Sequence, residues 1–225
     1  MSDCYYFVEN KRCKPSKNIP GIAINVTVNK IISQKEQYQI VASSLREDNT
    51  QIAIAIQNMN LANNPYNQFN IEVQIGNFSS ILPTAVSDLA YGRNDVLDLI
   101  IYLQQLENEL NMLNSCGLIS KDCYNTVSAD IATVTNLLKK LEVIYAEMAT
   151  LSGQAEDILV QLNADNNIEN TTGVTSDIQT LNNIYSQIST LVGPANTLFS
   201  QYRTAIQKLL TDVVTCQLTN TFVCC

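Results

Sequence analysis

The side chains in this sequence that could do chemistry are its seven cysteines, Cys4, Cys13, Cys116, Cys123, Cys216, Cys224 and Cys225. The 225 residues include no histidine and no tryptophan. Zero histidine removes the commonest general base and the commonest metal ligand. It excludes HExxH sites and the Ser-His or Cys-His dyads of nucleophilic catalysis. The seven glycines, at 21, 76, 92, 117, 153, 173 and 193, are too far apart for GxGxxG, a P-loop or GxSxG. No C-x2-C pair exists, so a zinc knuckle has no ligand set. What remains is disulfide chemistry. Seven is odd, so oxidation leaves at least one thiol unbonded or bonded to another chain. Cys224 and Cys225 are adjacent and a bond between them would be strained, which points to two different partners. Inter-chain bonds through that pair are the first expectation, and staples within the chain the second. Cys4 and Cys13 could close a local loop, CYYFVENKRC.

Carboxylates occur in neighbouring pairs: Asp95 and Asp98, Glu107 and Glu109, Glu156 and Asp157. On a helix flank such charges are expected to be solvated rather than to form an acid/base pair. Asn163, Asp165, Asn167 and Glu169 alternate like the oxygens of a calcium loop. They lack the glycine at the sixth place and the bidentate glutamate at the twelfth, so a polar interhelical turn is expected. No metal or cofactor is expected, and no enzyme activity. Lys11, Arg12, Lys14 and Lys17 form a basic arm that would dock an acidic partner or another copy. Asn25, Asn77 and Asn170 open N-x-S/T sequons that are expected to be chance.

Thirteen Lys+Arg against 21 Asp+Glu give a formal net charge of -8, which argues against a binder of nucleic-acid backbone. Hydrophobic residues make up 46% and charged residues only 15%, enough apolar material for a core. Asn is roughly one residue in nine, above ordinary usage, so much of the surface is polar without charge. Uncharged surfaces let copies pack closely. No run of about 18 apolar residues supports a membrane span. The first residues, MSDCYYFVENKRC, do not read as a signal peptide. Cysteine richness without a leader predicts synthesis in the cytosol and later oxidation in a particle such as a virion or spore surface.

The elements that must position these groups change character near residue 82. In 21–29, GIAINVTVN, Ile22, Ile24, Val26 and Val28 alternate with Ala23, Asn25 and Thr27, the period of a half-buried strand. Tyr38, Ile40 and Ala42, then Ile52, Ile54 and Ile56, then Phe69, Ile71, Val73 and Ile75 suggest three more. NLANNPYNQ reads as a turn-forming loop. From Asn49 to Ser87 the only charge is Glu72. Further on the spacing is helical. Val96, Leu99, Leu103, Leu106, Leu110 and Leu113 form one seam, with Gly117 as a stop and Gly92 as a break at the front. Ser120 caps a second helix with a seam from Val127 to Leu162. A third runs from Val174 to Cys216, with a kink expected at Gly193-Pro194.

The expected fold is therefore α+β: an N-terminal arm (1–20), a small antiparallel β-meander (21–82), a long three-helix antiparallel coiled-coil bundle or rod (83–216) and a cysteine-bearing tail (217–225). Cys116, Cys123 and Cys216 then fall at one tip. Two broad resemblances follow. Long antiparallel helices with a β-rich appendage resemble α-helical pore-forming toxins of the cytolysin type, with residues 49–80 as the insertion tongue. Low charge, abundant Asn, Gln and Thr, and cysteines without a leader resemble virion or spore-coat structural proteins. The expected function is a non-enzymatic, self-associating building block of a particle or filament. Its partners would be copies of itself or other structural proteins of that particle, with no nucleic acid. A toxin is the alternative and a helical adhesin or effector the third reading.

Overall fold

Ile24 and Val28 sit inside the alternating stretch but also, with Ile31, at helical spacing, and in the computed structural model of the chain the helical spacing governs. Residues 20–62 form one helix, α1 (Pro20–Ala62), with Ile24, Val28, Ile31, Tyr38, Ile52, Met59 and Ala62 buried along one side. α2 (Gln68–Ser115) follows, burying Ile71, Ile75, Phe78, Leu82, Ala85 and Leu89 before it reaches the Val96 to Leu113 seam. α3 (Lys121–Asn167) and α4 (Thr171–Thr215) complete the set. The structure describes residues 6–8, 11–13, 20–216 and 218. Two short strands, β1 (Tyr6–Val8) and β2 (Lys11–Cys13), pair antiparallel with Phe7 opposite Arg12. Cys4, Lys14, Lys17, Cys224 and Cys225 lie outside the described residues, as does the tail apart from the buried Leu218.

The fold is an all-α four-helix antiparallel bundle, which corrects two expectations. There is no β-meander over 21–82, and the bundle has four helices rather than three. Isoleucine and valine favour strands only weakly, and burial of a continuous helical stripe outweighs that preference. Phe69 and Val73, half of the supposed fourth strand, are exposed, while Ile71 and Ile75 are buried one helical turn apart. The loop at NLANNPYNQ is where it was expected, between helices instead of strands. Gly92 does not break α2, which passes through it and through Pro83. α4 likewise continues through Pro194. The other punctuation reads as expected. α2 ends at Ser115, with Gly117 at φ 67°, and the Ser120 hydroxyl accepts from the Cys123 amide at 3.2 Å as the cap of α3. In α3 the seam from Val127 to Leu162 passes through Leu159, which is buried, while the neighbouring Ile158 is half-buried.

The chain divides into two compact units. Unit 1 holds residues 1–37, 95–141 and 197–225, and unit 2 holds 38–94 and 142–196. In unit 1, α1 runs against α2, with Thr27 bonded to Glu109 and Gln34 to Asp95. There α3 runs against α4, with Asp130 bonded to Lys208, and Tyr124 of α3 bonds Asn111 of α2. In unit 2, α1 runs against α4 through Arg46–Asn196 and Asn60–Asn182, and α2 against α3 through Arg93–Glu142. Each helix therefore flanks the next in sequence, and α4 flanks α1, as short connections require.

Candidate functional site

Cys123 opens α3 and Cys216 follows α4, so the antiparallel course of the two helices brings them together. They form a disulfide with Cα atoms 5.8 Å apart and a sequence separation of 93. This is a bond within the chain, a staple of the kind expected second; the inter-chain bonds were expected of Cys224 and Cys225, which lie outside the described residues. Cys116 lies in the same unit, half-buried just past the end of α2. Cys13 belongs to β2, paired in register with Tyr6. About two turns before Cys216, the Lys208 ammonium donates to both oxygens of Asp130, at 2.7 and 2.8 Å, and to Asp212 at 2.8 Å. That bond to Lys208 is the main reason the Asp212 carboxyl is held below its ordinary range. Asp130, more deeply placed, is raised by burial.

The paired carboxylates do not converge on one point. Asp95 is half-buried, hydrogen-bonded by Gln34 and raised first by burial and then by Asp98. Glu109 is half-buried against Thr27 and also raised by burial. Both corrections to the expected solvation have one cause: α1, read as strands, supplies the polar side chain each acid meets. Glu156 and Asp157 are exposed, as expected.

Of the calcium-like stretch only Glu169 falls in the expected turn between helices; Asn163, Asp165 and Asn167 are still inside α3. Among the described residues no group of three or more acids or cysteines could hold a metal ion. Asn170 caps α4: its side-chain oxygen accepts from the Gly173 amide at 3.2 Å, and its side-chain amide donates to Asp165 at 3.1 Å. Asp165 also meets Asp177, which is 4% exposed and has one carboxylate oxygen without a hydrogen-bond partner. Burial, then the Asp165 charge, pushes the Asp177 carboxyl upward. Beside this pair the α1–α2 loop is clamped to the end of α3. The buried Asn166 accepts from Tyr66 at 3.1 Å and exchanges bonds with Gln68, whose amide reaches the Asn166 carbonyl at 2.8 Å.

A shallow groove of about 290 Å³ separates α1 from α2 in unit 2. Gln51, Ile54, Ala55 and Asn58 line one wall, and Gln74, Asn77, Ser80 and Ile81 the other. None carries a charge. Glu72, the one charge between Asn49 and Ser87, is two residues from Gln74 and so projects from the far side of α2. A second stripe, Gln51, Ile54, Asn58 and Leu61, repeats the 3-4 spacing of the buried one on the outside of α1. Reading that stretch as a strand conceals it.

No protein-family model matches this sequence, and no curated protein matches it either. No helix among the described residues is long and apolar enough to cross a membrane.

Proposed function

We propose that this protein is a non-enzymatic building block that assembles, with copies of itself or with other structural proteins, into an oxidised particle or filament such as a virion or spore surface. The observation that carries this reading is the Cys123–Cys216 bond. It uses two of the seven cysteines and leaves five, an odd number, for the rest of the chain. In the oxidising surroundings that a disulfide requires, at least one of those five has no partner within its own chain. Cys224 and Cys225, adjacent at the end of the sequence, are the residues best suited to bond another copy.

The toxin reading loses its motivating feature, because residues 49–80 form helix and loop rather than a charge-poor strand pair. The adhesin or effector reading has no observation of its own.

The test is a non-reducing against a reducing gel of material from the native source, with negative-stain microscopy of the same sample. A reducible ladder with regular particles or filaments is the expected result. A single monomer band with isolated molecules overturns the reading.

A further inference from the structure

Charge divides unevenly between the two units. Unit 2 holds 11 acidic and two basic side chains, whereas unit 1 holds ten acidic and 11 basic. The two basic residues of unit 2 are Arg46 and Arg93, and Arg93 is paired with Glu142. From Glu142 to Asn196 there is no Lys or Arg. On α3, within that stretch, Val143, Glu147, Thr150, Gln154, Asp157 and Gln161 are all exposed and follow one another at 4-3-4-3-4 spacing. They therefore form one solvent-facing stripe. Val143 lies one turn from Glu147, and Val160 one turn from both Glu156 and Asp157. The two valines are 60% and 73% exposed. Glu147, Glu156 and Asp157 make no ion pair with a described residue.

We infer that this exposed side of α3 in unit 2 is the docking surface for the basic N-terminal arm of a second copy of the chain. The inference rests on the building-block reading above and names its non-covalent contact.

Charge complementarity selects the occupant. Lys11, Arg12, Lys14 and Lys17 are four cations within seven residues with no acid among them, the densest basic stretch in the sequence. Tyr5, Tyr6, Phe7 and Val8 precede them. The arm thus offers apolar and cationic groups in succession, where the α3 surface sets valines beside carboxylates. The lengths agree as well. Glu147 and Asp157 are about 15 Å apart along a helix that rises 1.5 Å per residue. Lys11 and Lys17 can span up to about 20–22 Å of extended chain, so one arm reaches both carboxylates. Within its own chain the arm is part of unit 1, and the α3 surface is part of unit 2. A contact between two unlike surfaces is heterologous, and repeated from copy to copy it builds a ring or an open filament. That is the geometry a building block needs, whereas a patch set against itself stops at the dimer. Nucleic acid and anionic lipid are repelled by the same carboxylates.

The experiment is analytical ultracentrifugation of the full chain, oxidised and reduced, over about 1–500 µM, a span that covers weak association. Lys14→Glu with Lys17→Glu cancels the net charge of the four cationic positions and leaves both strands of the β1–β2 pair unaltered. Glu147→Lys with Asp157→Lys reverses the receiving surface at two exposed helix positions. Circular dichroism reports the fold of each. The expected result is a native chain that associates, with a dissociation constant that rises at least about tenfold in either variant. The α3 variant is less acidic than the native chain, so weaker association there is not general repulsion. An equimolar mixture of the two variants matches an intact arm with an intact surface. It should recover the native affinity and stop at the dimer. A mixture that associates no better than either variant alone overturns the arm-to-α3 contact, as does self-association that neither variant weakens. Both of those outcomes leave the building-block reading standing. A chain that stays monomeric at every concentration, oxidised or reduced, overturns both.

Discussion

The hydroxyls of Tyr38 and Tyr145 lie 2.7 Å apart inside unit 2, and their rings meet edge to face with centroids 6.1 Å apart. The bond joins α1 to α3, helices that run in the same direction and face each other across the bundle. Both rings are buried, so the hydroxyls exchange water for each other. Tyr38→Phe and Tyr145→Phe should each lower stability by about 1 kcal/mol. The double variant should lose less than the sum, because one bond serves both residues. Urea denaturation of the three variants checks this, and strict additivity would show that the two hydroxyls do not act as a pair.

Breaking the Cys123–Cys216 bond should weaken the fold without abolishing it. A loop closed over a separation of 93 restrains the unfolded chain by about 4–5 kcal/mol on the chain-entropy account. The buried seams of unit 1, from Val96 to Leu113 and from Val127 to Leu141, do not depend on it. Cys123→Ser with Cys216→Ser is expected to lower Tm by roughly 10 °C. The far-ultraviolet circular dichroism at 25 °C should be retained. Loss of most helix at that temperature would mean that the disulfide, and not the apolar seams, holds unit 1 together.

Two glycines should respond to alanine with opposite signs. A methyl group at Gly153 meets nothing within 4 Å, so Gly153→Ala should gain about 0.5–1 kcal/mol from reduced freedom of the unfolded helix segment. A methyl at Gly173 would strike the Asp165 carboxylate and the Asn170 amide. Gly173→Ala should therefore displace the cap of α4 and cost about 1 kcal/mol. Thermal melts of the two variants suffice, and a shift of the same sign in both would contradict the packing described at the α3–α4 turn.

Acidification should stabilise unit 2 through Asp177. Its folded-state pKa is raised above the ordinary 3.8, so the folded chain binds more protons between the two values. Stability is fully present below about 3.8 and is lost as pH rises through the raised value. Asp48, raised by burial and then by Asp88 and Glu47, acts in the same sense. Asp212 in unit 1 has the opposite sign: its lowered pKa gives stability that is lost in acid. Asp177→Asn should raise Tm at pH 7 by about 2–4 °C and flatten the rise in stability that the native chain shows as pH falls toward 3.8. An unchanged pH profile in Asp177→Asn would remove this carboxyl as its source.

The second half of the chain was legible because its apolar residues have one buried set and few alternatives. Leu99, Leu103, Leu106 and Leu110 are all fully buried, and leucine carries no strand bias. The first half was ambiguous because apolar residues occupy both sides of its helices. In 69–75 the buried pair Ile71 and Ile75 fits a helix. Adding Phe69 and Val73 turns the same stretch into a strand pattern. Sequence periodicity assumes that apolar means buried, and that assumption fails at exposed residues such as Ile54, Phe69 and Val73. The disulfide was legible in part: Cys123 and Cys216 follow from antiparallel helices of matched length, whereas their pairing depends on which helices adjoin. Asn166, which clamps the α1–α2 loop, gave no signal among so many asparagines.

The Cys123–Cys216 bond also sets how the molecule bears load. Tension applied between the two ends of the chain passes from residue 123 to residue 216 through sulfur, bypassing everything between them. With a separation of 93 and about 3.3–3.6 Å per extended residue, roughly 310–335 Å of slack is withheld from stretching. Most of α3 and all of α4 up to Thr215 cannot be pulled straight by a force carried along the backbone, so a linked chain of such subunits would give only by the length of its first half.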